Sequence, residues 1–124
     1  MYIGLKNFLE DKYKMIKKAW GSYTDLYRTE DIVLKKISVD PKQRLSLQTH
    51  EKRSEFWVVT KGECLCELGD TVTRLKKWDT IQINNKQEHR LINDSNNSCE
   101  VTELQFGYCS EDDIVRIEDD YNRT

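Results

Sequence analysis

Arg44-Leu-Ser-Leu-Gln-Thr-His50-Glu-Lys-Arg-Ser-Glu55-Phe-Trp-Val-Val-Thr-Lys-Gly62 is the stretch that decides the fold of this chain. Leu45, Leu47 and Thr49 alternate with Ser46, Gln48 and His50, the two-residue period of a β-strand. Gln48 and His50 therefore share a face. Glu55 lies at an odd offset from His50 and would fall on the opposite face of one continuous strand. The polar run Glu51–Ser54 reads instead as a turn that resets the register, with a new strand starting at Glu55 and ending before Gly62. Gln48, His50 and Glu55 then converge from two neighbouring strands. The second of the two histidines, His89, stands far downstream in Gln87-Glu-His-Arg-Leu-Ile-Asn93, where it would close a four-ligand set.

The rest of the chain from Ile32 onward reads as short strands separated by polar turns. Strands are expected at 32–39, 44–50, 55–60, 63–68, 71–75, 80–83, 88–92 and 99–106, with Asp40-Pro41 ending the first and Gly69-Asp70 turning a hairpin. Many short strands without helical interruption indicate a sandwich or barrel. Residues 7–18 carry Phe8, Leu9, Tyr13 and Ile16 at loosely helical spacing and read as a short amphipathic arm. The tail from Glu111 is acidic and should wrap the outside, with a helical turn. The division expected is an N-terminal arm over 1–18 and one all-β domain over 19–124.

The spacing resembles the cupin superfamily. His50-x4-Glu55-x6-Gly62 and His89-x3-Asn93 match its two motifs, with Gln48 where the first cupin histidine would stand. The likeness is narrower still to the cupin domain of type II phosphomannose isomerases. It is carried by Leu-Ser-Leu-Gln-x-His-x2-Arg-x-Glu-x-Trp-Val-Val, by Trp20-Gly-Ser-Tyr23, by Glu103-Leu-Gln-Phe-Gly-Tyr108 and by Glu111–Tyr121. The resemblance implies a double-stranded β-helix, a jelly-roll barrel. It also implies a metal-dependent, mannose-6-phosphate isomerase-like interconversion of aldose and ketose phosphates in nucleotide-sugar or polysaccharide precursor synthesis. The alternative is a non-catalytic cupin that binds a sugar phosphate or nucleotide sugar. In that family a pyrophosphorylase domain usually precedes the cupin. Here Ile83-Asn-Asn-Lys86 and Pro41-Lys42 depart from the family's glycine-bearing turns, and Phe56 replaces a histidine the family often has.

Gln48, His50, Glu55 and His89 offer two imidazole nitrogens and two oxygens. Such a mixed set suits one divalent ion, zinc first, with manganese, iron, cobalt and nickel also compatible. Arg53, in the turn between the ligand strands, is placed to hold a phosphate, or else is an exposed turn arginine. Arg44 and Lys36 are weaker candidates for the same task; Lys36 shares a strand face with Ile32 and Leu34. Glu103 shares a face of the last strand with Gln105. If that face is the lumen, Glu103 is a buried carboxyl suited to proton abstraction; if not, it is a solvated strand residue.

With 34% charged residues and a net charge of −2, the chain has no basic stripe of the kind nucleic acid requires. It has no apolar run long enough for a membrane span. Cys64, Cys66, Cys99 and Cys109 lack C-x-x-C spacing and read as reduced thiols of a cytoplasmic protein. The expected partners are a sugar phosphate and a second copy of the chain, in a homodimer formed through a sheet edge and the N-terminal arm.

Overall fold

The computed structural model describes residues 13–122. Within them the secondary structure is all β. The strands are β1 (Met15–Lys18), β2 (Gly21–Arg28), β3 (Ile32–Val39), β4 (Leu47–Thr49), β5 (Arg53–Lys61), β6 (Cys64–Leu68), β7 (Thr71–Leu75), β8 (Thr80–Ile83), β9 (His89–Ile92), β10 (Cys99–Gly107) and β11 (Val115–Glu118). They form two sheets, ordered β1-β2-β3-β10-β5-β8 and β11-β4-β9-β6-β7. Every pairing is antiparallel. The two sheets face each other as a jelly-roll barrel, which buries one row of side chains from each strand.

Strict alternation shows which row that is. Along β5 and β10 the odd-numbered residues are buried up to Val59 and Gln105, and the even ones are partly or fully exposed. Along β3, Val33, Lys35, Ile37 and Val39 are buried. The core gathers Trp20, Ile37, Val39, Trp57, Val59, Cys64, Leu75, Ile83, Leu91, Cys99 and Val101 between the sheets. All four cysteines are free thiols, each buried.

Two glycines allow close approaches that a side chain would block. Gly21 (φ 150°) follows Trp20 in the turn between β1 and β2, and a Cβ there would lie 2.0 Å from the Ser38 carbonyl oxygen. Gly107 (φ 115°) ends β10 against the start of β5, where a Cβ would lie 2.6 Å from the Lys52 carbonyl oxygen. The second packing draws the end of β10 onto the turn that carries His50 and Arg53.

Three expectations are corrected. The helical arm is not helical where it is described: Met15–Lys18 pairs with β2, from Met15 opposite Thr24 to Lys18 opposite Gly21. The remainder of that expectation, residues 1–12, lies outside the described residues. The tail forms a strand in place of a helical turn, with Val115 opposite Thr49 and Arg116 opposite Gln48. The strand after the ligand turn begins at Arg53, two residues before Glu55, so Arg53 is a strand residue and faces inward.

Candidate metal centre

β5 delivers Arg53, Glu55 and Trp57 to the lumen, β10 delivers Glu103 and Gln105, β9 delivers His89, and β3 delivers Lys35. His50 follows β4 and is 2% exposed; Glu55 is 2% and His89 3%. One ligand atom from each of these three lies within 4.8 Å of the other two. Glu55 and His89 line a cavity of about 140 Å³ together with Gln48, Lys35, Arg53, Glu103, Gln105 and Arg116, and His50 adjoins it through Arg53 and Glu55.

The histidine orientations follow from main-chain acceptors. His50 Nδ1 lies 2.6 Å from the Asp113 carbonyl oxygen, and His89 Nδ1 lies 2.9 Å from that of Gln87. A carbonyl oxygen only accepts, so Nδ1 carries the proton in both rings and Nε2 is left as the lone pair of the neutral imidazole. Both Nε2 atoms face Glu55, at 3.1 Å from Oε2 for His50 and 3.5 Å from Oε1 for His89. Two lone pairs and a carboxylate at these distances repel unless a proton or a cation lies among them. This is the donor set a divalent ion takes, with the second ring nitrogen of each histidine fixed by a hydrogen bond as metal-binding imidazoles usually are. Gln48 pairs with His89 across β4 and β9, and its amide nitrogen donates to Ser46 Oγ at 3.0 Å. Its amide oxygen is thereby left for other use.

Arg53 intrudes on this set. It is 7% exposed, its Nη2 donates to His50 Nε2 at 3.2 Å, and its Nε donates to Glu55 Oε2 at 3.4 Å. Glu55 is tied on its other side to Trp57. The indole Nε1 donates to Glu55 Oε1 at 3.0 Å and to Glu103 Oε1 at 3.1 Å, and Gln105 Nε2 donates to Glu103 Oε2 at 3.3 Å. Burial alone would push both carboxyls up. Glu55 is nevertheless held well below the ordinary carboxylate range, chiefly by its hydrogen bond with the Glu103 carboxyl. Glu103 goes the other way, raised well above that range by burial and by the charge of Glu55. Of the two neighbouring carboxyls, Glu103 therefore has the higher proton affinity.

Of the residues expected here, Glu55, His89, Gln48, Arg53 and Glu103 line this cavity, and His50 meets Glu55 and His89 beside it. Arg44 does not: its guanidinium is bonded to Asp120, with Nε to Oδ2 at 2.8 Å, outside the lumen. Lys36 is exposed on the outer face of β3, and its neighbour Lys35 takes the inward place. The two inward neighbours of Glu103 on its flanking strands are Lys35 and Trp57. Sequence reasoning missed Lys35, the Asp113 carbonyl and Gln105. The apolar character of Val33, Ile37 and Val39 was the signal that could have found the first.

A two-sheet jelly roll with histidines and a carboxylate converging at one end is the architecture of the cupins. Among solved structures, a double-stranded β-helix protein from Klebsiella pneumoniae superposes with a TM-score of 0.74 at 20% identity, covering 87% of this chain and 93% of that one, a likeness of fold. The family described as "Mannose-6-phosphate isomerase C-terminal" matches residues 7–119, and the chain belongs to that family. Two relatives lie in full-length proteins. The xanthan biosynthesis protein XanB of Xanthomonas campestris is 37% identical over 113 residues, which are 90% of this chain and 24% of that protein. A mannose-1-phosphate guanylyltransferase of Sinorhizobium fredii is 34% identical over 113 residues, 90% of this chain and 22% of that one. The chain thus spans about a quarter of the length of the curated relatives it matches. Among the described residues no helix is long and apolar enough to cross a membrane.

Proposed function

We propose that this domain is a metal-dependent isomerase of sugar phosphates that interconverts an aldose phosphate and its ketose, with mannose 6-phosphate and fructose 6-phosphate as the first pair. The observation that carries the proposal is the buried Glu103 set beside the His50, Glu55 and His89 cluster at a cavity that Lys35, Arg53 and Arg116 also line. Membership of the isomerase family supports it, as do relatives named for xanthan biosynthesis and for mannose-1-phosphate guanylyl transfer. A divalent ion, zinc first, would be held by His50, Glu55 and His89 with Gln48 beside them, and would stabilise negative charge developing on the C1 and C2 oxygens of the sugar.

The chain's own residues supply the rest. A carboxyl with raised proton affinity is a strong base once it has released its proton, so Glu103 is suited to take the C2 proton and return it at C1. Trp57 and Gln105 fix the Glu103 carboxyl from both sides. Arg53 holds the carboxylate of Glu55 and the ring of His50 in place.

A second reading draws on Arg53. Its guanidinium already satisfies His50 and Glu55, as expected of a cupin that binds a sugar phosphate or nucleotide sugar without turnover. Deuterium exchange from solvent at sugar C2, followed by NMR over a panel of hexose and heptose phosphates, separates the two. Exchange that is lost with chelator, regained with added metal and lowered at least about a hundredfold in Glu103→Gln is the expected result. Binding without exchange for every sugar transfers the function to the second reading.

A further inference from the structure

Resting on the sugar-phosphate reading above, we infer that Lys35 is the residue that grips the anionic group of the ligand, and that Glu111 is a displaceable counter-ion occupying the anion's place. Lys35 lies in the middle of β3, is 7% exposed and faces the cavity. A buried ammonium normally gives hydrogen bonds to compensate for its lost hydration. Here the nearest carboxylate oxygens lie at 3.6 Å (Glu111 Oε1) and 3.8 Å (Asp25 Oδ1), both beyond hydrogen-bond length, and the ammonium rests over the ring of Tyr23 at 4.5 Å. Three donors are thus held in a charged but loosely coordinated setting.

Nearby polar atoms are unmet in the same way. Gln105 Oε1, Asp25 Oδ1 and Arg116 Nε are buried and have no hydrogen-bond partner among the described residues. Gln105 and Arg116 both line the cavity. Unmet donors and acceptors facing the cavity from both sheets match a ligand that carries an anionic group together with hydroxyls.

Glu111 is the mobile half of the arrangement in chemical terms. It sits in the loop after β10, its side chain is 57% exposed, and it pairs with Arg28 as well as Lys35. Arg28 has a second carboxylate in Asp25, bonded at 2.9 Å, and keeps a partner when Glu111 leaves. A phosphate brings more charge and more acceptor oxygens than the one carboxylate it replaces. It can therefore approach Lys35 and Arg28 at hydrogen-bond distance where Glu111 does not reach Lys35. Glu111 then competes with the ligand in the empty protein and swings to solvent when the ligand enters.

The test is titration of the full-length chain with inorganic phosphate and with mannose 6-phosphate, by calorimetry. Glu111→Gln removes the competitor and is expected to tighten phosphate by about fivefold, whereas Lys35→Met weakens it by about tenfold or more. Asp112→Asn, an exposed neighbour that loses the same charge, controls for a general field effect and should leave the affinity unchanged. Unchanged or weaker phosphate binding in Glu111→Gln overturns the competitor role, and unchanged binding in Lys35→Met overturns the grip. Thermal unfolding of each variant identifies one that has lost its fold, and Lys35→Gln then replaces Lys35→Met. Solvent exchange at C2 is scored separately. Phosphate results as expected with no exchange keep this inference and sink the isomerase, while exchange unaltered in Lys35→Met does the reverse.

Discussion

Along β3, β5 and β10 the inward positions divide at mid-strand. Towards one end of the barrel stand Val39, Ile37, Val59, Cys99 and Val101; towards the other stand Lys35, Glu55, Arg53, Glu103 and Gln105. The division falls at the same level in all three strands, since Val101 lies opposite Ile37 and Val59, and Glu103 lies opposite Lys35 and Trp57. The inward side chains of both ends are buried, yet they serve opposite purposes. The apolar end gains from every buried methylene. The polar end buries charges whose desolvation is only partly offset by their hydrogen bonds, and is stable because the other end secures the strands that carry it. A site of this kind is cheap to specify in a barrel: one polar residue on β3, where Val33 stays apolar, and two each on β5 and β10 convert core into pocket without altering the backbone.

The largest break in this symmetry is expected from Leu75→Ala. Leu75 is 4% exposed, packs in the core and pairs with Cys64 away from the cavity. The truncation should cost about 3 kcal/mol in a urea titration, with bound metal per folded chain unchanged by elemental analysis. His89→Ala should do the opposite, losing the metal with a smaller loss of stability. Equal metal in wild type and His89→Ala would show that the two ends are not separable in this way.

Trp57 stands at the boundary and sharpens the comparison. Its ring belongs to the core, while its Nε1 serves Glu55 and Glu103. Trp57→Phe keeps most of the apolar surface and removes the shared donor, so a loss of about 2 kcal/mol is expected from two buried carboxyls each short of one hydrogen bond. A thermal midpoint equal to wild type would mean that the indole N–H contributes nothing to holding the pair.

The smallest effect belongs to the rim. The hydrogen bond from Arg44 holds the Asp120 carboxyl below its ordinary value, fastening the tail to the chain before β4. A depressed carboxyl stabilises the fold above its unfolded value of about pH 4, and the contribution is lost as the pH falls through the lower folded value. Asp120→Asn should lower stability at pH 7 by about 0.5 kcal/mol or less, because both groups are exposed and screened. The difference from wild type should vanish in acid. A gap that persists at pH 2 would assign the effect to packing.

Much of this was legible in the residues. The strands at 32–39, 71–75 and 80–83 have the bounds that alternation and turn residues indicate. His50, Glu55 and His89 meet as their spacing and the cupin resemblance imply. The parity of β3 was not legible from its first residues, because Ile32 and Leu34 make the even face look as apolar there as Val33 makes the odd one. Only Ile37 and Val39, with Ser38 between them, break the tie in favour of Lys35. Strands β1 and β2 escaped because Met-Ile-Lys-Lys has no alternation and a register shift between Asp25 and Tyr27 breaks the period of the other. The orientation of His50 was invisible for a deeper reason, since its partner is a main-chain carbonyl and any residue type at 113 carries one.

That last contact has a consequence for how such a site can drift over generations. In both imidazoles the proton on Nδ1 is placed by the path of the chain, at Asp113 and at Gln87. Point substitution at these two positions leaves the tautomers intact, since every residue type retains the acceptor. An inserted or deleted residue in the loop after β10, or in the turn before β9, shifts the acceptor by a whole residue. The centre is thus tolerant of changed letters and intolerant of changed length.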